Sequence, residues 1–245
     1  MKVDQLAIIW TIGIIIVGAG LAGFTNSQPP ATPIPSEAPS GISRSGQMAQ
    51  QGIAQIQGIN TFENNDLVSK SVNTLTDEVT ISAWVEPDYG DLSDEYTILS
   101  KENSFALSIN NVLPPKHVAK LAIYDGMRWT EITGTTSIQD LSHVVGVIDG
   151  NTISLYVNGM LEQQAELENV FVVDSGRLDI KEAEIAQSEE DVVVGAYIST
   201  TRHSSGDVLN KFSGIVHDVK IYDDEALSDT QIEILYWTEF SDISH

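Results

Sequence analysis

Two pairs of carboxylates have a spacing that could support catalysis. Glu86 and Asp88 stand two residues apart, as do Glu182 and Glu184, and this spacing places both side chains on one face of a strand. Glycoside hydrolases use two such carboxylates, one as the acid and the other as the nucleophile or base. However, the first pair follows a strand in a turn, and the second lies in a charged segment without a third alternating acid. We therefore expect no enzymatic activity, with glycoside hydrolysis as the weakest of the alternatives.

No other catalytic or cofactor pattern is present in the sequence. The five histidines have no short metal-ligand spacing, and the chain contains no cysteine. It also lacks a Gly-x-Ser-x-Gly nucleophile motif, a glycine-rich phosphate loop and the spacing of an EF-hand calcium loop. Nothing in the sequence argues for an organic cofactor.

Four aromatic residues are the best candidates for ligand binding. Trp129, Tyr89, Tyr96 and Tyr197 lie at or near predicted loops and strand ends. A sugar presents an apolar face that stacks on such a ring, while its hydroxyls seek polar groups beside it. The same rings also suit ordinary packing, and Trp84 in particular is expected in the core. The sequence leaves open whether the four candidates converge.

The charge of the chain excludes one class of partner. The formal net charge is −23 at pH 7, from 35 acidic and 12 basic residues, and no cluster of Lys or Arg stands out. Such a surface repels phosphate backbones and anionic lipid. We expect no nucleic-acid partner.

The first residues predict a membrane segment. Residues 6–23 hold no charged side chain, and 18 residues at about 1.5 Å each nearly span a hydrocarbon core of roughly 30 Å. A cleavable signal peptide is the alternative, because small residues near Ala22 could form a cleavage site. Either interpretation places the rest of the chain outside the cell, as a single-pass membrane protein with its C-terminal domain outside or as a secreted protein.

The composition then divides the chain into four parts. Five of the eight prolines lie in 25–41, which predicts an extended spacer. We assign residues 1–24 to the anchor or signal peptide, 25–58 to a Pro-rich spacer with a possible short helix, 59–240 to one domain, and 241–245 to a C-terminal tail.

The domain has the period of β-strands. "VTISAWVEPD" (79–88) alternates Val79, Ile81, Ala83 and Val85 with polar residues and Trp84, then ends at a proline. Similar short runs follow, each closed by Gly, Asn or Pro, which is typical of an antiparallel sandwich. In "VVGVIDGNTISLYVNGMLEQQ" (144–164), the breaks at Asp149-Gly150-Asn151 and Asn158-Gly159 predict hairpin turns.

The last block predicts a strand followed by a helix. In "FSGIVHDVKIYDDEALSDTQIEILY" (212–236), strict alternation places Ile215, His217, Val219 and Ile221 on one face and Val216, Asp218, Lys220 and Tyr222 on the other. Ser228 and Gln231 form a capping-box pattern for a short helix that carries Ile232, Leu235 and Tyr236.

An ordered set of these motifs resembles the laminin-G-like members of the concanavalin A-like superfamily. The resemblance rests on "TISAWVEPD" (80–88), "TILSKENSFALSI" (97–109), "LSHVVGVIDGNTISLYVNG" (141–159), "VVVGAY" (192–197) and "FSGIVHDVKIYDDEALSDTQI" (212–232). It covers 60–238 and implies an all-β jelly-roll sandwich of two antiparallel sheets. Members are often binding or adhesion modules. The acidic segment 165–190 matches less well and resembles an insertion on the rim.

The resemblance also implies a structural calcium ion near the sheet edge. In similar domains an Asp on the final strand meets acidic or amide residues near the first strand, which here implies Asp218, Asn64 and Asp66 as ligands. We therefore expect a non-catalytic binding or adhesion module at the cell surface, with a carbohydrate or protein ligand. The alternative is an accessory structural subunit that packs with other membrane subunits.

Overall fold

The computed structural model describes residues 53–55, 68–70, 75–90, 93–112, 114–174, 177–199 and 206–243. The predicted membrane segment 6–23 and the Pro-rich stretch 25–41 lie outside these residues. Among the described helices, none has both the length and the apolar character needed to cross a bilayer.

Sixteen strands and one helix make up the described part of the chain. In chain order they are β1 (Ile53–Gln55), β2 (Val68–Lys70), β3 (Glu78–Pro87), β4 (Glu95–Lys101), β5 (Phe105–Asn110), β6 (Val118–Tyr124), β7 (Trp129–Ser137), β8 (Ser142–Asp149), β9 (Thr152–Val157), β10 (Met160–Glu166), β11 (Val170–Asp174), β12 (Arg177–Lys181), β13 (Val192–Val194), β14 (Tyr197–Ser199), β15 (Asp207–Leu209), β16 (Gly214–Asp223) and α1 (Asp229–Ile243).

The strands form two antiparallel sheets of six, which confirms the predicted all-β sandwich. The first sheet has the order β1-β16-β3-β8-β9-β10, and the second has the order β2-β13-β4-β5-β6-β7. Two separate hairpins, β11–β12 and β14–β15, complete the described strands. Strands distant in sequence lie side by side, as β16 does with β3, because the chain returns to the first sheet at its end.

The inner faces of the two sheets hold the main hydrophobic core. Val79, Ile81 and Val85 of β3 are fully buried in it, as the alternation in the sequence predicted. The sheets approach closely at Gly146 of β8, where a Cβ atom would stand 2.9 Å from Leu121 Cδ1 of β6. Burial of this apolar surface is the dominant favourable contribution to folding.

The Asn158-Gly159 turn joins β9 and β10 as predicted. Both residues have positive φ, +51° at Asn158 and +78° at Gly159, which is the backbone of a two-residue type I′ turn. The Asn158 side chain adds a contact that the sequence did not suggest, since its Oδ1 accepts a hydrogen bond from His143 N at 2.9 Å.

A β-bulge in β16 makes the predicted alternation of that strand wrong in part. The register against β3 shifts between His217 and Lys220, and Asp218 has a φ of +43°. The extra residue reverses the phase of the strand. As a result Val216 lies in the core together with Val219 and Ile221, although strict alternation had placed it on the opposite face.

Glu162 connects the edges of the two sheets. It lies in β10, the last strand of the first sheet, at a bulge between Leu161 and Gln163. Its carboxylate accepts hydrogen bonds from the backbone N–H and the hydroxyl of both Thr135 and Thr136, in edge strand β7 of the second sheet.

Helix α1 covers the outer face of the first sheet. The N–H and the hydroxyl of Ser228 both donate to Gln231 Oε1, at 3.0 and 2.7 Å, which gives the capping contact that the sequence predicted. Ile232 is fully buried against Val145 and Val147 of β8 in a second apolar cluster. Of the two outer faces, the outer face of the second sheet is therefore the one that this helix leaves accessible.

Candidate ligand-binding site

The outer face of the second sheet carries a groove of about 250 Å³. Its floor comes from every second residue of β4 to β7, because alternate side chains of a strand point to the same face of a sheet. Ala106 and Ala122 are small and leave room there, while Trp129 and Tyr197 stand at the sides. We call this cavity the aromatic groove.

Two aromatic rings contribute apolar surface to the groove. The Trp129 side chain is 37% exposed, and its ring centroid lies 6.4 Å from that of Tyr197 at an interplanar angle of 70°. Tyr124 supports the indole from another side, with centroids 5.3 Å apart. Burial, followed by the negative charge of Glu102, raises the pKa of Tyr197 against the opposing effect of a hydrogen bond from the Asn103 backbone. The Tyr197 hydroxyl therefore stays protonated at neutral pH.

Polar groups lie beside these rings. Lys120 Nζ bridges two carboxylates, at 2.9 Å from Glu95 Oε1 and 3.6 Å from Glu131 Oε1. Ser108 also donates to Glu95, and Asn210 Nδ2 lies 3.5 Å from Glu95 Oε2. A ring face flanked by charged and amide groups can orient a ligand that is both apolar and hydroxylated.

The structure brings together two of the four aromatic residues that the sequence suggested. Trp129 and Tyr197 meet in the aromatic groove, whereas Tyr96 is fully buried in the main core. Tyr89 packs edge-on against Tyr96, stacks on His117 at 3.7 Å, and donates its hydroxyl to Ile138 O at 2.6 Å. The rings of Tyr89 and Tyr96 thus contact each other, away from the groove.

The predicted calcium ligands are only partly described. Asp218 lies at the bulge of β16, and its Oδ2 is 2.6 Å from Lys220 Nζ. This oxygen therefore already forms an ion pair within the chain. Asn64 and Asp66 lie outside the described residues. Within the described ranges, no group of three His, Cys, Asp or Glu side chains could hold a metal ion. The calcium site stays a prediction.

The carboxylate pairs considered for hydrolysis lie on the surface. Glu86 and Asp88 are exposed where β3 ends, and Asp88 Oδ1 accepts a hydrogen bond from Gly90 N at 3.0 Å. Glu182 is exposed, and Glu184 Oε2 lies 3.6 Å from Lys181 Nζ. Neither pair lines the aromatic groove.

Sequence reasoning missed the polar residues of the groove. The alternation of β6 and β7 could have placed Lys120 and Glu131 on the outer face. The positions of Glu95 and Asn210 depend instead on which strands are neighbours, and in particular on Thr97 N donating to Asn210 O at 2.8 Å. No local pattern encodes that long-range contact.

Comparison with known protein families matches residues 62–233 to the Concanavalin A-like lectin/glucanases superfamily. The curated proteins contain no match to the chain. Several solved structures share the fold at low sequence identity.

Three of these structures illustrate the similarity. The binding domain of botulinum neurotoxin serotype D has 16% identity and a TM-score of 0.51, over 74% of this chain and 42% of that one. A heptameric SAP-like pentraxin from Limulus polyphemus has 18% identity and a TM-score of 0.51, over 72% and 80%. A putative carbohydrate binding protein from Bacteroides ovatus has 19% identity and a TM-score of 0.51, over 71% and 45%. The chain thus spans less than half of the first and third of these proteins, and at such identities the similarity shows the fold alone.

Proposed function

Because the chain belongs to the concanavalin A-like lectin/glucanases superfamily, we propose that it is a non-catalytic binding module with a carbohydrate ligand. The ligand lies in the aromatic groove on the outer face of the second sheet. The observation that carries this proposal is the exposed indole of Trp129 beside Tyr197, with Lys120 and Asn210 within the same cavity.

The physical reason lies in the match between the groove and a sugar ring. The apolar face of a pyranose packs on the exposed part of Trp129, while its hydroxyls bond to the groups around Lys120 and Asn210. The similar Bacteroides ovatus structure, described as a putative carbohydrate binding protein, is compatible with this assignment. The exposed carboxylate pairs offer no enclosed site for hydrolysis, which favours binding without catalysis.

A glycan array with the full-length protein in detergent tests the proposal, followed by titration of any glycan that binds. Trp129→Ala removes the stacking surface, worth about 1.5–3 kcal/mol, and should weaken binding by about 10- to 100-fold. Phe240→Ala is the matched control, since Phe240 is 38% exposed but lies on α1, over the other sheet. Equal affinities of the Trp129→Ala variant and the wild type would reject the groove as the site.

Two further parts of the proposal depend, wholly or in part, on residues outside the described ones. We propose that residues 6–23 tether the module to the membrane, with the domain outside, and that Asp218, Asn64 and Asp66 bind a structural calcium ion. Intact-mass measurement under native conditions tests both. A mature chain that lacks the first residues contradicts the anchor, and a mass unchanged by a chelator contradicts the calcium ion.

The second candidate function is that of an accessory structural subunit. Helix α1 favours it, because Phe240 is 38% exposed and packs against Tyr236 and Trp237 in an aromatic cluster that a partner could contact. Stoichiometric co-purification with other membrane proteins after detergent extraction supports this function. Loss of those partners in the Phe240→Ala variant, with glycan binding absent throughout, would favour it over the carbohydrate proposal.

A further inference from the structure

A second cavity, of about 320 Å³, lies next to the aromatic groove. Among the described residues that line it, four of seven carry carboxylates: Glu102, Glu189, Glu190 and Asp191. We call it the acidic cavity. It shares strand β4 with the groove, since Ser100 lines the cavity and Thr97 lines the groove.

One of these carboxylates is buried without a partner for one of its oxygens. Glu102 is only 5% exposed, and its Oε2 has no hydrogen-bond partner. A buried carboxylate oxygen that lacks a donor costs about 1–3 kcal/mol or more relative to one that has a partner. The fold therefore keeps an unsatisfied acceptor at the wall of an acidic cavity.

The buried cation beside this residue in the sequence does not satisfy the oxygen. Lys101 precedes Glu102, its side chain is fully buried, and its Nζ donates to the Glu190 backbone carbonyl. Burial lowers the pKa of Lys101, although the charges of Asp191 and Glu190 oppose that shift. With Lys101 in place Glu102 Oε2 still lacks a donor, and a ligand in the cavity can supply one.

The arrangement suits an organic cation better than a metal ion. No three acidic side chains of the described residues are close enough together to coordinate one ion. An ammonium group has three N–H donors, and the organic molecule that carries it is larger than a metal ion. Such a molecule can contact carboxylates that are spread around a cavity of about 320 Å³. The net charge of −23 also attracts cations and repels anionic glycans.

We propose that the acidic cavity receives the ammonium group of an amino sugar. The ligand is then a glycan with free amino groups, one ring of which stacks on Trp129 while the amine of a neighbouring unit bonds to Glu102. Tyr197 lines the groove and Ile198 lines the cavity, so a single chain can occupy both. Thr97 and Ser100 are three residues apart on β4, and the β-bulge between Thr97 and Leu99 keeps them on one face at no more than about 10 Å. This inference rests on the proposed function and adds the substrate class.

The test compares two oligosaccharides that differ only in their amines. Calorimetric titration uses glucosamine oligomers and their N-acetylated counterparts, at a pH where the free amine is protonated. The full-length protein in detergent should bind the free-amine oligomer about tenfold more tightly, and this preference should decline with added salt. Glu102→Gln should abolish most of the preference for the free-amine oligomer, because the charge pair between Glu102 and the sugar ammonium group accounts for that preference. The affinity for the acetylated oligomer should stay within about twofold of the wild-type value.

Two controls keep the result interpretable. Glu233→Gln removes an exposed carboxylate of α1, far from the cavity in the fold, and should keep the full preference. Urea unfolding of the Glu102→Gln variant checks that it folds. If that variant does not fold, Glu189→Gln and Asp191→Asn, at exposed positions of the same cavity, should each reduce the preference instead.

The outcomes separate this inference from the proposed function. If both oligomers bind equally and Glu102→Gln changes nothing, the amino-sugar inference is wrong and the carbohydrate function stands. If no glycan of either kind binds, the proposed function itself fails. Binding of calcium, or of a lysine-rich peptide, that Glu102→Gln abolishes without any preference for sugar amines would assign the cavity to those ligands and overturn the inference.

Discussion

The indole Nε1 of Trp84 donates a hydrogen bond to Glu239 Oε2 at 2.7 Å, and so joins β3 of the first sheet to helix α1. Glu239 is 6% exposed, and its other oxygen accepts a hydrogen bond from Lys220. The Trp84 ring packs against both His143 and Tyr236, with centroid distances of 4.9 and 5.5 Å. The helix is thus attached to the sheet by a buried polar network as well as by apolar contacts.

Removal of the Glu239 carboxylate should destabilise the protein strongly. Glu239→Ala leaves the Trp84 N–H without an acceptor and Lys220 with Asp218 alone, so the free energy of unfolding should fall by about 3–5 kcal/mol. Urea unfolding monitored by tryptophan fluorescence measures this change. Glu233→Ala, at an exposed site on the same helix, should change it by no more than about 0.5 kcal/mol. Similar losses in the two variants would contradict a special role for Glu239.

His143 should make the protein less stable as the pH falls. Burial, followed by the positive charge of Lys220, lowers the pKa of His143 from 6.5 to about 3. Glu239 Oε2 lies 3.6 Å from His143 Nε2 and would favour the charged ring, but burial and Lys220 prevail, and Nδ1 has no partner. The unfolded chain therefore binds a proton below about pH 6.5, and the folded chain does not do so until about pH 3.

In this pH range His143 should change the free energy of unfolding by about 1.4 kcal/mol per pH unit. Between pH 7 and pH 5 the free energy of unfolding of the wild type should fall by about 2 kcal/mol more than that of a His143→Gln variant. Only the last 1.5 pH units or so of this interval lie below the pKa of the histidine in the unfolded chain. Urea unfolding at the two pH values gives the difference. Parallel losses in the two proteins would show that another group controls the acid sensitivity.

The two functions of Asn158 can be separated by two substitutions. Asn158→Gly keeps the positive φ but loses the acceptor for His143 N, so it should cost about 1 kcal/mol. Asn158→Ala loses the acceptor and also strains the turn, so it should cost about 2 kcal/mol. Thermal unfolding of both variants tests the order. A glycine variant less stable than the alanine variant would contradict this account of the turn.

A methyl group at Gly146 should overfill the core. The new Cβ would stand 2.9 Å from Leu121 Cδ1, and overpacking of this kind costs about 1–3 kcal/mol. Leu121→Val in the same chain should restore part of the loss, because it shortens the side chain that the new methyl group meets. A double-mutant cycle measures the coupling between the two positions. Strict additivity of the two effects would disprove the contact.

The Glu162 carboxylate should stabilise the sheet edges in a pH-dependent way. Its burial raises the pKa, but the hydrogen bonds from Thr136 and Thr135 outweigh burial and hold the pKa below 4.5. Glu162→Gln should lower the free energy of unfolding by about 1–2 kcal/mol at pH 7. That difference should shrink as the pH falls through the folded-state pKa, where the wild-type group becomes protonated. Gln163→Ala, at the exposed neighbouring position, is the control.

Local patterns in the sequence predicted much of the fold. The alternation around Val79 and Ile81 predicted which face of β3 is buried, and the Asn158-Gly159 pair predicted the hairpin. The bulge at Asp218 was not predictable in the same way, because its positive φ is accommodated by the pairing of β16 with β3. Nothing in the sequence of β16 itself marks the change of phase.

The candidate site was predictable only in part. Trp129 and Tyr197 were suggested by residue type and by their positions near strand ends. The burial of Tyr96 results from the packing of the second sheet on the first. Glu102, whose Oε2 has no hydrogen-bond partner, lies beside the segment around Glu190, which lines the same cavity. Both depend on contacts between residues distant in sequence, which periodicity does not report.

The contact between Glu162 and β7 also has a consequence for association between molecules. An edge strand usually offers free N–H groups to which a strand of another chain can add, and this is a common route to aggregation. In β7 the N–H groups of Thr135 and Thr136 are occupied by a carboxylate of the same chain. The bulge in β10 at Leu161 interrupts the regular backbone of the neighbouring edge as well. Glu162 therefore protects this side of the sandwich against the addition of a strand from another chain.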